Sequence, residues 1–328
     1  MNHRRTVLAA LAASALTTPL SAFAQKPPAK LHRIGFLGLR SAASMADRFD
    51  AFRAGLRDLG YIEGRNIVIE ARWADEKYER LPALAAELVR LKVEVIISHS
   101  VTGARVARQA TSTIPIVMAV MGDAEATGLV ASLARPGGNI TGSTFFIHEL
   151  NAKRLEMLKE VLPRATRLAV LLNRSNTNNE SIVQTMAAAA KSLKVELQRF
   201  EVQGASDLDG AFAAMSKQRI EGVVIHDEPI LISNVGAAAK LAARHRIATI
   251  GFVEVADAGG LMAYGVNFPP LFRRAAVFVD KILKGANPGD LPIERATTFE
   301  MVVNLKTAKA LGITLPPSVL VRANRVIE

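Results

Sequence analysis

Short β-rich runs alternate with helical stretches twice over in this chain, and that alternation admits few folds. In the first half, Arg33 to Leu37 reads as a strand and Ala46 to Leu59 as a helix, with Phe49, Phe52, Leu56 and Leu59 at helical spacing. Gly60 supplies the C-terminal stop. A strand over Asn66 to Arg72, a helix over Tyr78 to Leu91 and a buried strand over Val95 to Ser98 follow. A helix over Thr102 to Ala110 and a strand over Ile116 to Val120 complete this half. Parallel strands joined by helices are the economical solution for such a series.

After the turn cluster Pro136-Gly137-Gly138-Asn139 and a strand-like Ile140 to Phe146, the series restarts. Helices are expected over Glu149 to Leu162, Asn178 to Leu193, Asp207 to Gln218, Asn234 to His245 and Leu271 to Leu283. Strands are expected over Arg167 to Leu172, Val195 to Phe200, Gly222 to Ile225, Ala248 to Phe252, Leu261 to Tyr264 and Met301 to Asn304. With 328 residues, half of them hydrophobic, the chain is long enough for two cores. The expected fold is α/β: two Rossmann-like lobes with parallel sheets joined by a hinge. The boundary falls near Gly142 to His148, and no Gly/Ser linker separates the halves, so crossing strands form the hinge. A cleft between such lobes is a place for a ligand.

The N-terminus carries a different message. Arg4-Arg5, an apolar stretch from Val7 to Leu20 and the small-x-small Ala22-Phe23-Ala24 read as a signal peptide over residues 1–24, cleaved after Ala24. The arginine pair fits Sec export and also a twin-arginine signal. Export to the periplasm is expected, with no direct membrane insertion after cleavage. The chain has no cysteine, which excludes disulfides, Cys-ligated zinc, Cys catalysis and a lipidated N-terminal Cys. A net charge of +11 raises nucleic acid as a partner, but the basic residues are scattered and no helix-turn-helix, zinc or RNA-binding signature occurs. A solvated basic surface is expected, without nucleic acid.

Enzyme motifs are absent as well. No G-x-G-x-x-G follows the first strand, no Walker-type loop and no G-x-S-x-G elbow occur, and the six histidines form no metal pair. No catalytic residue, metal or cofactor is assigned. Small polar residues do recur where strands end, the edge on which parallel α/β folds place ligands. Ser41 follows the first strand, Ser100 and Thr102 the third, Asp123 the fourth, Asn173 and Asn176 the first of the second half, and Asp227 a later one. Ser100 and Thr102 begin a helix whose free N–H groups suit an anion; plain helix capping is the better account of either residue taken singly, and it is the five such turns facing one cleft that point to a site. Asp227 suits a ligand ammonium. Phe145, at the lobe boundary, either stacks on a ligand or packs the hinge, and Tyr264 completes the candidate set.

Several stretches are familiar together: Arg33-Ile34-Gly35-Phe36-Leu37, Gly60-Tyr61-Ile62-Glu63-Gly64-Arg65-Asn66, Arg80 to Val89, Ala134 to Gly142, Lys153-Arg154-Leu155-Glu156, Ala258 to Gly265 and Val303 to Gly312. They resemble the ABC-transporter substrate-binding family that includes tryptophan/tyrosine-type binding proteins, from about Leu31 to Glu328. The resemblance implies a type I periplasmic-binding-protein fold crossed three times by the chain, with lobe 1 over 31–144 plus about 266–290 and lobe 2 over 145–265 plus about 291–328. It implies capture of a small polar molecule, an amino acid or an aromatic or carboxylate compound, for an ABC permease and ATPase complex; a monomer is expected, since this role needs none of the symmetry of an oligomer. A periplasmic sensor partnered with a membrane receptor, and a periplasmic enzyme, are the alternatives.

Overall fold

The computed structural model describes residues 30–176 and 178–328. The expected signal peptide lies outside the described residues. In the first half, strands β1 (His32–Gly38), β2 (Ile67–Trp73), β3 (Val95–Ser98), β4 (Ile116–Gly122) and β5 (Ile140–Phe145) alternate with helices α1 (Ala46–Asp58), α2 (Leu81–Arg90) and α3 (Ser100–Ala110). Helix α4 (Ile147–Val161) then opens the second half. Strands β6 (Arg167–Asn173), β7 (Glu196–Val202), β8 (Gly222–Ile225), β9 (Ala248–Gly251) and β10 (Met262–Val266) follow, interleaved with α5 (Asn179–Ser192), α6 (Leu208–Lys217), α7 (Pro229–Ser233), α8 (Val235–Arg244) and α9 (Val253–Asp257). The C-terminal portion adds α10 (Phe268–Leu283), β11 (Glu294–Arg295), β12 (Phe299–Asn304), α11 (Leu305–Leu311), α12 (Pro317–Arg322) and β13 (Arg325–Ile327).

Two sheets result, with the same winding. The first runs β2-β1-β3-β4-β5-β11 and the second β7-β6-β8-β9-β10-β12-β13. Residues such as Val95-Ile96-Ile97 and Ile116 to Ala119 are wholly buried, because helices cover both faces of a parallel sheet and every position on a strand then faces apolar neighbours. In each sheet the strand order reverses beside the first strand, between β1 and β3 and between β6 and β8. Doubly wound sheets bind ligands outside the carboxyl ends of strands at that point.

The chain passes between sheets three times: after Phe145, after Val266 and after Arg295. Helix α10 returns to the first sheet and packs on α1 so closely that a Cβ on Gly55 would lie 2.4 Å from the Arg273 carbonyl. Tyr61 Oη, in the loop that follows α1, donates to Asp280 Oδ1 of α10 at 3.0 Å. At the first passage, Gly142 adopts φ +132°, and a Cβ there would meet the Met118 carbonyl oxygen at 2.1 Å. Only glycine fits this strand pair, whose register shifts between Met118 and Met121.

Two expectations need correction. The second sheet is not wholly parallel: β12 runs antiparallel to β10, because the chain enters it on the way back from the first sheet. The third passage also falls later than residue 291. Thr141 Oγ1 donates to the Leu291 carbonyl at 2.8 Å, and Glu294–Arg295 pairs parallel with Ser143–Thr144, so this segment belongs with the first sheet.

Candidate ligand-binding site

A cavity of about 60 Å³ opens between the two lobes, at the carboxyl ends of β3, β4 and β5 on one side and of β6 and β8 on the other. The first lobe contributes Arg48 from α1, His99 to Thr102 at the start of α3, Val120 to Gly122, Phe145, and Phe268 and Phe272 from α10. The second contributes Ile147 from α4, Asn176 and Asn178, Ile182 from α5, His226 to Pro229, and Ile232. The walls are mostly apolar, with polar groups concentrated at the β3–α3 and β8–α7 turns.

Two buried histidines face each other across this space in chemical role. His99 Nε2 lies 3.2 Å from the Leu39 N–H and accepts from it, which leaves the ring proton on Nδ1. Burial, with Arg48 and Arg40 nearby, pushes its pKa down to about 3, so the ring is neutral. His226 is likewise pushed down to about 3 by burial and by Arg154 and His148. Asn151 turns its oxygen to Arg154 at 3.1 Å, so its amide nitrogen donates to His226 Nδ1 at 2.9 Å. The proton of His226 therefore sits on Nε2. The neighbour there is the Asn176 amide nitrogen at 3.4 Å, which cannot accept it, because the Asn176 oxygen takes the Asn178 N–H at 2.9 Å.

Arg154 and Asp227 form a buried ion pair. The arginine is fully buried, the Asp227 side chain is 1% exposed, and the guanidinium meets both carboxylate oxygens. Arg154 Nε also donates to the Tyr264 carbonyl at 2.7 Å. Asp227 is thus occupied within the protein. Next to it, burial raises the pKa of Glu228 to about 7. Tyr78 Oη donates to Glu228 Oε2 at 2.9 Å, and burial beside that carboxyl holds the phenol well above its ordinary range.

The Tyr78–Glu228 bond spans the cleft, and other contacts do so too. Arg48 of α1 pairs with Glu254 of α9 while its guanidinium lies 4.6 Å from the centre of the Phe268 ring. Arg40 Nε donates to Ser233 Oγ at 2.8 Å, and that hydroxyl donates on to Glu76 Oε1 at 2.7 Å. The lobes are therefore latched in a closed arrangement with the cavity between them.

Of the residues expected from sequence, Ser100, Thr102, Phe145, Asn176 and Asp227 line the cavity. Ser100 sits at φ +63°, a strained value for a non-glycine residue, and its hydroxyl makes only a long 3.4 Å contact with the Gly103 N–H. The other four lie elsewhere. Ser41 accepts from the Ser44 N–H at 3.3 Å and closes a short turn. Asp123 Oδ2 accepts from the Ile147 and His148 N–H groups at 3.1 and 3.2 Å and pairs with the His148 ring, whose pKa it raises. It caps α4 instead of facing the cleft. Asn173 Oδ1 accepts from the Ser175 N–H at 3.0 Å within a turn. The Tyr264 ring stacks on Phe299 at 5.7 Å.

Sequence reasoning missed Arg48, His99, His226, Glu228, Phe268 and Phe272 as wall residues, and Arg154 behind them. His99 and His226-Asp227-Glu228 lay in the strand-end turns already singled out, so that signal was readable. Arg48 and the two phenylalanines sit on amphipathic helices, where sequence cannot separate a cavity wall from a core or a solvated face.

Among the described residues no helix is long and apolar enough to cross a membrane, and no cluster of three or more His, Asp or Glu side chains could hold a metal ion. Comparison with known proteins places the chain. It is 28% identical over 285 residues to a tyrosine-binding protein of Clostridioides difficile, covering 87% of this chain and 82% of that one. An ABC domain from Streptococcus pneumoniae solved in complex with L-Trp shares the fold with a TM-score of 0.83 at 23% identity, covering 91% of this chain and 100% of the other. A ligand-free, open substrate-binding protein with adhesive properties from Clostridium difficile superposes with a TM-score of 0.65 at 23% identity, over 91% of this chain and 99% of that one. The family model described as ABC transporter substrate binding protein matches residues 34–327, and the chain belongs to that family.

Proposed function

We propose that this protein is the periplasmic binding component of an ABC importer, which captures a small molecule in the inter-lobe cleft and presents it to a membrane permease and its ATPase. The observation that carries the reading is the cavity whose polar groups come from both lobes, His99 and the α3 turn from one and His226 and Asn176 from the other. A ligand bound to both sets of groups favours the closed arrangement over an open one by the difference in its affinity for the two. Closure then becomes the signal a permease reads. Family membership and the signal-peptide pattern over residues 1–24 support an extracytoplasmic role. The tyrosine-binding relative supports a small organic ligand.

Each part of this role calls for its own side chains. Arg48–Glu254, Tyr78–Glu228 and Arg40–Ser233–Glu76 bridge the lobes and stabilise the closed arrangement. The buried pair Arg154–Asp227 fixes the β8–α7 turn that carries His226. Disruption of the gene, followed by uptake of whichever labelled compound stabilises the purified protein, tests the proposal. Uptake lost in the disruptant and restored by the plasmid-borne gene is the expected result; unchanged uptake overturns the importer role.

A further inference from the structure

We propose that the ligand is a small carboxylate with an apolar body and no α-ammonium group, such as an aryl- or alkyl-substituted carboxylic acid. The inference rests on the reading of the cleft as a small-molecule site and deepens it. The wall presents a group of donors. His99 presents Nδ1–H and His226 presents Nε2–H, because each ring accepts through its other nitrogen. Arg48 is 4% exposed, and its Nε has no partner among the described residues. The eleven-residue helix α3 opens onto the same space, and first-turn N–H groups lack acceptors within their own helix. Neutral imidazoles, an arginine and a helix N-terminus together suit an acceptor that carries negative charge.

The carboxylates nearby are already engaged. Both oxygens of Asp227 are bound by Arg154, Glu254 pairs with Arg48 through Oε1 while its Oε2 has no partner among the described residues, and Glu228 Oε2 takes the Tyr78 hydroxyl and, more weakly, the Ile230 N–H at 3.4 Å. An α-ammonium would have to rely on neutral acceptors or draw a carboxylate away from Arg154, Arg48 or Tyr78. Either is unfavourable in a buried site. Beside the polar Ser100, Thr102, Asn176 and Asn178, much of the remaining wall is apolar: Val120, Phe145, Ile147, Ile182, Phe268 and Phe272. It suits a largely hydrocarbon body.

Matched compounds test the proposal on the unaltered mature protein. Phenylacetate is set against phenylglycine, 3-phenylpropionate against phenylalanine and 4-methylvalerate against leucine, with the primary amide of each acid as the uncharged control. Melting curves identify binders, and calorimetry supplies Kd. At least one acid should bind, with its amino-acid and amide counterparts each at least tenfold weaker. An amino acid that binds as tightly as its matched acid overturns the proposal, as does an amide that does so. A response to sugars, polyols or amino acids with none to the acids overturns the carboxylate class and leaves the small-molecule role standing. Silence across all of these compounds overturns the class, and failure of the uptake experiment separately overturns the importer role.

Discussion

Replacing Asp227 separates a structural carboxylate from a ligand-binding one. In the structure its partner is Arg154, fully buried, and its own side chain is 1% exposed. Asp227→Leu leaves the guanidinium with only the Tyr264 carbonyl at 2.7 Å and the Asn151 oxygen at 3.1 Å. Stranding one partner of a buried ion pair costs about 3–5 kcal/mol. For a chain of this length that lowers Tm by roughly 6–20 °C, at about 2–4 °C per kcal/mol. Arg154→Met should be at least as damaging, since it also orphans the Tyr264 and Asn151 acceptors. The double variant should melt above the sum of the two losses, because neither charge is then left alone. Differential scanning calorimetry of all four proteins gives the coupling. If Asp227→Leu melts within 2 °C (about 0.5–1 kcal/mol) of the parent but loses ligand affinity at least tenfold, the carboxylate serves the ligand and the pairing argument is refuted.

Glu228 adds a pH dependence. Its pKa is about 7 folded against an ordinary 4.5, so its contribution is full below pH 4.5 and is lost as pH rises through about 7. The difference between parent and Glu228→Gln in urea unfolding should change by roughly 3 kcal/mol across that window. That difference is the right readout, because His99 and His226, pushed from 6.5 down to about 3, act in the opposite sense: their contribution is lost as pH falls from 6.5 towards 3. A parent–variant difference flat from pH 4.5 to 8 contradicts the burial of Glu228. Gly142→Ala should destabilise by about 1–3 kcal/mol or more, given φ +132° and the Met118 carbonyl 2.1 Å from the new Cβ; an unchanged melting curve would show that the β4–β5 junction relaxes freely. Mature protein from the periplasm should begin at Gln25, and mass spectrometry that finds Met1 retained would rule out cleavage after Ala24.

The architecture was legible because buried parallel strands such as Val95 to Ser98 and Gly222 to Ile225 are short continuous apolar runs set between helices of recognisable period. The β11 strand was not: two residues, Glu294–Arg295, carry no period, and only their pairing with β5 reveals them. In the site, the turns after β3 and β8 announced themselves by small polar residues at strand ends. What those residues do was settled by partners far away in sequence. Asp227 reads as a free carboxylate until Arg154, 73 residues earlier, is brought against it. Asp123 reads like Asp227, yet it serves the N–H groups that open α4. Arg154 itself looks like a solvated helix residue, since nothing local says that its side of α4 faces the second sheet.

A crystal structure with the first compound found to stabilise the protein tests the cleft most directly. Electron density for that compound is expected between Thr102 and Phe145 of one lobe and His226 of the other, with its acceptor atoms within hydrogen-bond reach of His99 Nδ1 or His226 Nε2. Density on any outer face of the lobes, with the space between these residues filled by solvent alone, would contradict it.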